Sequence, residues 1–385
     1  MKSMNLINNL PCLFSVVIPT RGRSNLVEKL LISLQRAITH SKVAVEIIVV
    51  DDSSPPERDK IESLCQQYGA QYLSGSHSVR EKRNRGIDAS RGEIILFTDS
   101  DCEVSPKIFN EHLKVYAEAD TAGVLGLTEF AGKESISWNI VSRTTFLDSF
   151  SSAKTLSKVL DSAPWGTCTN LSFRKKVLED VGKFDTTFPF RLGGDDTELG
   201  VRINEAGYKI KMNQNAIVFH TRETWSNLFA VAKKAFRWGR TDFHILKRHP
   251  QLGRIGFPNF LTVFLFLALI CLTGILTAHH DIAVMSIIVW TVSTLLIEST
   301  FKASRAGEKP HLIFFWLVAR FLDLIFEAGA IFESLRRGSL SMLYKRIVYT
   351  PAQLIFEWES EVMRSWSIII GLLLTLIVIW ILKGV

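Results

Sequence analysis

The sequence predicts an α/β domain with a mostly parallel sheet flanked by helices, followed by an α-helical membrane region. Three observations carry this. Short runs rich in Val and Ile, Ser15 to Ile18, Val45 to Val50 and Glu93 to Phe97, alternate with helical patterns, the order that gives parallel strands joined by crossover helices. Each run leads into polar residues: Thr20-Arg21, Asp51-Asp52 and Asp99-Ser100-Asp101. Beyond about residue 250 of 385 the character changes, and long apolar runs appear that occur nowhere earlier.

The first helix is expected from Asn25, which can cap it with Glu28 three residues on, and it shows Leu26, Leu30, Leu31 and Leu34 on one face. A second is expected from about Pro56 to Tyr68. In sheets of this kind ligands bind outside the carboxyl ends of the strands, so the three polar ends mark a crevice. No GxGxxG or Walker loop follows the first strand, which argues against dinucleotide and P-loop chemistry. The crevice is lined by carboxylates and suits a metal better than a bare phosphate. Further on, Ala216 to His220 reads as a short strand that delivers a histidine. Leu199 and Ile203, four apart with Gly207 as a stop, read as an amphipathic helix with Asp195-Asp196 at or just before its N-terminus.

Six stretches, in this order, resemble the family-2 inverting glycosyltransferases with the nucleotide-diphospho-sugar transferase (GT-A) fold. They are Phe14-Ser-Val-Val-Ile-Pro-Thr20, Ile48-Val-Val-Asp-Asp-Ser53, Arg83-Asn-Arg-Gly86, Gly92-Glu-Ile-Ile-Leu-Phe-Thr-Asp-Ser-Asp101, Gly182-Lys-Phe-Asp185 and Gly194-Asp-Asp-Thr-Glu-Leu199. The resemblance implies transfer of a sugar from a nucleotide-diphosphate donor to an acceptor hydroxyl. It places Thr20 and Asp52 near the donor base and counts Arg21 to the donor site, with Arg80 or Arg83 close to the base or diphosphate. Asp99 and Asp101 fall on the DxD pair that holds a divalent metal, Mg or Mn, with Asp99 also counted to the donor and His220 completing the metal site. The bland alternatives are that the two aspartates merely end a strand in a turn and that His220 is a core histidine satisfied by hydrogen bonds; the metal site is the favoured reading of both. Ala163-Pro-Trp-Gly-Thr-Cys-Thr-Asn170 resembles the segment lining donor sugar and acceptor. Trp165 offers a flat face there, though packing explains it nearly as well, and Gly166 allows close backbone approach. Asp196 matches the catalytic base, with Asp195 beside it; the same pair would also complement a helix dipole. Processive relatives carry QxxRW, whereas Lys234-Ala-Phe-Arg-Trp238 has lysine in the glutamine place. Transfer is therefore expected to stop after one or a few sugars, and Arg237 and Trp238 serve the donor site or the membrane entrance.

The net charge of +7 gathers beside the apolar runs, in Lys233 to Arg240, Lys247 to Arg254 and Arg336 to Arg346. Membrane lipids with anionic headgroups are the simpler partner, and no nucleic acid is expected. Five cysteines form no CxxC pair, which reads as a reducing cytosol. Pro11 and Pro19 interrupt any signal-peptide core after Lys2, so the soluble part is expected inside the cell. Residues 1–250 are read as the cytosolic transferase domain and 251–385 as the membrane region. Its helices are expected at about 257–278 and 282–300, joined by His279-His-Asp281, then 311–335 and 366–382. The 311–335 run carries Arg320, Asp323, Glu327 and Glu333 and lies in the interface, re-enters or crosses. Integral attachment to the cell or inner membrane makes a glycan or lipid-linked acceptor the expected partner, with cell-envelope glycan synthesis as the setting. A sugar-1-phosphate nucleotidyltransferase would need a glycine-rich loop that Pro19-Thr-Arg-Gly-Arg23 does not supply. A non-catalytic membrane-anchored binding or scaffold protein is the alternative of another class; it would be expected to lose one of Asp99, Asp101 or Asp196, and none is lost.

Overall fold

The computed structural model describes residues 13–189, 193–256, 259–276, 280–349 and 351–383. The readings at Lys2, Pro11, Cys12, Phe257, Ala278 and His279 lie outside them. Two compact units emerge: Met1–Glu134 with Asp148–Thr224, and Ser135–Leu147 with Trp225–Val385. These units divide at other positions than the expected boundary between residues 250 and 251.

The first unit runs β1 (Phe14–Thr20), α1 (Ser24–Ser41), β2 (Val45–Asp51), α2 (Glu57–Gln67), β3 (Gln71–Ser74), α3 (Val79–Ala89), β4 (Ile94–Phe97), β5 (Cys102–Val104), α4 (Ile108–Tyr116) and β6 (Thr121–Ala131). After α5 (Ile136–Val141), which belongs to the second unit, follow α6 (Ser152–Leu156), β7 (Leu171–Arg174), α7 (Lys175–Asp180), α8 (Asp195–Glu205) and β8 (Lys209–Thr221). The eight-stranded sheet has the order β3-β2-β1-β4-β7-β6-β8-β5. Strands β1 to β4 are parallel to one another, as the alternating pattern requires. Antiparallel β7 is inserted between β4 and β6, with Phe97 opposite Leu171. The segment entering β7, residues 163–170, therefore arrives at the carboxyl end of β4, where Asp99 stands. Antiparallel β5 pairs Cys102 with His220 of β8, which brings Asp101 beside the histidine.

Strand residues alternate between two cores because successive side chains point to opposite faces. Val16, Ile18, Ile47 and Val49 pack on one face with Leu30, Leu31 and Leu34 of α1, whereas Val17, Ile95 and Phe97 pack on the other with Leu199 and Ile203 of α8. The apolar face of α1 is as read from sequence, but its start is not. Arg23, in the left-handed region at φ 65°, precedes Ser24, and the Ser24 N–H donates to Glu57 Oε2 of α2 at 2.9 Å. A carboxylate from another element satisfies the helix end, so the local Asn25 and Glu28 cap is not formed.

The second unit holds α5, α9 (Leu228–Arg248), β9 (Gly253–Ile255), α10 (Phe260–Leu276), α11 (His280–Arg305), α12 (Ile313–Arg336), α13 (Ser341–Tyr344), β10 (Lys345–Ile347) and α14 (Pro351–Lys383). Among the described residues two helical stretches are long and apolar enough to cross a membrane, Val284–Arg305 and Val362–Ile381; Phe260–Leu272 is shorter. Phe260 stacks on Trp290 at 4.8 Å, and both share a core with Leu295, Leu324 and Ile368. The charges of α12 are spent within the unit. Arg320 donates to Glu298 at 2.5 Å and to Glu327 at 2.9 Å, and Asp323 accepts from the Thr145 N–H at 2.9 Å, tying 135–147 to this unit. Helices α9 and α12 cross through glycine: a Cβ on Gly239 would overlap the Phe326 carbonyl, and one on Gly329 the Phe236 carbonyl.

Candidate functional site

The site of the first unit is assembled by α3, whose basic side chains reach the strand ends. Arg83 lies against Asp195 in a buried ion pair and donates to Asp99 Oδ1 at 3.3 Å. Asn84 makes reciprocal bonds with the Phe184 backbone, 2.8 Å to its carbonyl and 3.0 Å from its N–H, and so holds the Gly182-Lys-Phe-Asp185 loop. Gly86 is required by packing, since a Cβ there would overlap Val17 of β1. Arg80, expected near base or diphosphate, donates instead to the carbonyls of Pro189 (3.2 Å) and Gly193 (2.8 Å) and lies 5.0 Å over the Phe188 ring. It braces the chain that leads into α8.

At the end of β2 the two aspartates divide their work. Asp51 is consumed locally, accepting from the Ser53 N–H at 3.0 Å and from Tyr72 at 3.2 Å. Asp52 faces the crevice, with Lys82 Nζ at 2.5 Å, His77 Nδ1 at 2.8 Å and Arg21 Nε at 3.7 Å. Burial works to raise the Asp52 carboxyl, but the hydrogen bonds from Lys82 and His77 outweigh it and hold the group below its usual range. Lys82 also donates to the Thr20 carbonyl at 2.7 Å, so Thr20, Arg21 and Asp52 form one cluster. Sequence reasoning missed Lys82 and His77. Lys82 stands inside the basic run Arg80 to Arg83, and that density was its signal; the isolated His77 had none.

Asp99 and Asp101 point different ways. Asp99 Oδ2 accepts from Thr169 at 2.8 Å, and Asp99 is thereby held by the segment 163–170 as well as by Arg83. Asp101 Oδ2 accepts from Arg23 at 3.0 Å, while its Oδ1 lies 3.5 Å from His220 Nε2. Ligand atoms of Asp101, Cys102 and His220 lie within 4.8 Å of one another, a group able to hold a metal ion. His220 Nδ1 is 3.0 Å from the Thr221 carbonyl, an acceptor only, so Nδ1 carries the proton and directs Nε2 toward Asp101. Burial, with Asp101 and Asp99 beside it, pushes the Cys102 thiol well above its usual range, leaving carboxylate and imidazole as the donors that suit a hard dication.

Residues 163–170 bind α8 closely. Asn204 donates to the Pro164 carbonyl at 3.0 Å, a Cβ on Gly200 would overlap Trp165, and the Cys168 N–H donates to Asp196 Oδ2 at 3.4 Å. Gly166 itself meets Leu125, where a Cβ would stand 2.5 Å from Cδ1, so its small size serves the core. Asp195 and Asp196 open α8 behind Gly194, which has φ 71°. Asp195 is buried against Arg83, with Arg80 NH2 at 3.9 Å. Asp196 is half-buried and accepts from the Thr197 N–H at 2.9 Å. Burial and the Asp195 carboxylate, opposed by Arg83, push Asp196 up to about 6. One carboxylate is thus neutralised and fixed, and its neighbour is poised to take a proton near neutral pH.

Arg237 and Trp238 belong to α9 in the second unit. Trp238 packs on Phe146 at 5.8 Å and Trp225 at 6.2 Å, and the Lys234 ammonium sits 3.9 Å over the Trp225 ring. The lysine that replaces glutamine is engaged in a cation–π contact.

Residues 15–182 match "Glycosyl transferase family 2". The chain is 25% identical over 241 residues to "Glycosyltransferase AglE" of Haloferax volcanii, covering 60% of this chain and 73% of that protein. It is 23% identical over 256 residues to "Uncharacterized glycosyltransferase YfnE" of Bacillus subtilis, covering 54% of this chain and 64% of that one. A solved structure, the mannosyltransferase PcManGT of Pyrobaculum calidifontis with GDP-Man and Mn²⁺, aligns with a TM-score of 0.44 at 14% identity over 96% of this chain and 87% of that chain. The six stretches and the comparisons lead to one conclusion: the chain is a glycosyltransferase, and its residues 15–182 match the model of glycosyltransferase family 2.

Proposed function

We propose that the chain transfers a sugar from a nucleotide-diphosphate donor to an acceptor hydroxyl with inversion at the anomeric carbon, Asp196 serving as base. The observation that carries this is the split acidic pair. Asp195 is fixed by Arg83, while half-buried Asp196 has a carboxyl raised to about 6 and hangs from the same loop that holds Asp99. In this reading the acceptor hydroxyl gives its proton to Asp196 as its oxygen bonds to the anomeric carbon, and the bond from that carbon to the diphosphate oxygen breaks on the opposite face. Thr20, Arg21, Asp52 and Lys82 receive the nucleoside, and Arg83 positions Asp99 and Asp195. Asp101 and His220, with Asp99 of the same triplet, would hold a divalent cation, Mg²⁺ or Mn²⁺, which supplies neutralisation of the leaving diphosphate.

The helical stretches Val284–Arg305 and Val362–Ile381 support membrane attachment, with basic residues on the cytosolic side and the first unit in the cytosol. A lipid-linked or membrane-proximal glycan is then the acceptor, and transfer stops after one or a few sugars because Lys234 is committed to Trp225. The test is to offer purified full-length protein a panel of nucleotide sugars with total lipid extract and to measure released nucleoside diphosphate. One donor should stand out, and release should require the extract. No release from any donor, with tight nucleotide binding retained, would favour a non-catalytic binding protein.

A further inference from the structure

We infer that the second unit carries a discrete site for one lipid phosphomonoester, built by Lys233 and Arg237 at the mouth of the α9/α12 cavity. The cavity, about 610 Å³, is lined by Ala230, Ala232, Lys233, Phe236, Arg237 and Ile325. That volume lies within the ~300–1,000 Å³ usual for small-molecule pockets, so it can take a headgroup with its first apolar carbons. Its lining combines apolar Phe236 and Ile325, both partly buried, with two exposed cations one helical turn apart.

The neighbouring charges show why this rim is distinctive. Lower on the same helix, Arg240 (2.7 Å) and His244 (3.0 Å) are bound to Glu333 of α12, with Arg337 at 3.1 Å. Lys233 and Arg237 have no carboxylate within 4.0 Å among the described residues. Lys233 instead rests its ammonium 4.3 Å over the ring of Phe229, which is 70% exposed. An exposed aromatic beside cations on an amphipathic helix fits the headgroup level of a bilayer, where long basic side chains keep their charged heads in water. Two unneutralised positive charges match a phosphomonoester, which carries about −1.5 to −2, better than a phosphodiester with one. The inference rests on membrane attachment, not on sugar transfer.

The test uses the full chain in phosphatidylcholine nanodiscs containing a trace of photo-crosslinkable phosphatidic acid, with crosslinked peptides mapped by mass spectrometry. Labelling should fall on the segment 230–237 and exceed that by a phosphatidylcholine analogue. Lys233→Gln with Arg237→Gln should lower it by about 30-fold, from about 1 kcal/mol per cation. Lys233→Arg with Arg237→Lys should preserve it, and Glu308→Gln should leave it unchanged. Equal labelling by both headgroups would overturn the site in favour of plain bilayer contact. Full displacement by millimolar inorganic phosphate would overturn the lipid and leave a free-anion site. Failure of the protein to enter nanodiscs would sink the membrane reading, whereas sugar transfer is scored separately by diphosphate release.

Discussion

Asp196→Asn separates catalysis from stability because the same raised carboxyl governs both. The substitution keeps the shape and removes the ability to accept a proton, so turnover should fall by about 10²- to 10⁴-fold while donor affinity changes little. The stability effect has the opposite sign. Asp196 titrates at about 6 against an ordinary 3.8, so its ionised form costs the folded protein on the order of 3 kcal/mol above pH 6. Below pH ~4 both folded and unfolded chains are protonated and the cost vanishes. As pH rises between these values the unfolded chain loses its proton first, so wild-type stability declines and then levels off. The variant lacks this decline and should be the more stable protein at pH 8 by up to about 3 kcal/mol relative to its standing at pH 4. The assays are steady-state turnover, donor binding, and denaturant unfolding of detergent-purified protein at both pH values. Wild-type turnover should fall tenfold per pH unit below about 6 and be flat above it. Near-normal turnover of Asp196→Asn, or lost donor binding with turnover intact, would refute Asp196 as base.

Removing Arg83 should be costly, because Asp195 is left buried and unpaired. Arg83→Met should destabilise by about 3–5 kcal/mol in thermal unfolding, and adding Asp195→Asn should recover part of it. Excess chelator should abolish transfer and Mn²⁺ or Mg²⁺ restore it, with His220→Ala needing more metal for half-activity; full activity in chelator would exclude the site at Asp101 and His220. Lys82→Ala releases Asp52 and Thr20, so donor KM should rise with kcat nearly kept, and a loss confined to kcat would count against a nucleoside-binding role.

The local parts of this architecture were readable in the sequence. A short apolar run that ends in polar residues is a short-range pattern from which β1, β2 and β4 follow, and the helix opened by Asp195 and Asp196 follows from Leu199 and Ile203 four apart. Choices settled by distant partners were not readable. Which member of the acidic pair is neutralised depends on Arg83, 112 residues away, and the first turn of α1 is satisfied by Glu57 on another helix. The glycine motifs were seen, but their reasons lay in packing: Gly166 makes room for Leu125, and Gly86 for Val17. Ser135–Leu147 joins the second unit through Thr145 and Asp323, a contact that no periodicity announces. The charges of α12 left open whether that run lies in the interface, re-enters or crosses, and their partners were not readable: Arg320 donates to Glu298 and Arg240 to Glu333, each across to a neighbouring helix.

Inversion by a single displacement with Asp196 as base is tested most directly by the anomeric configuration of the new glycosidic linkage in the first-formed product, read by proton NMR before further transfer. A donor linked through its α-anomeric oxygen should give a β-linked product, with the signal absent in Asp196→Asn. A product that retains the donor's configuration would contradict the account, since it requires a second displacement that Asp196 as base does not provide.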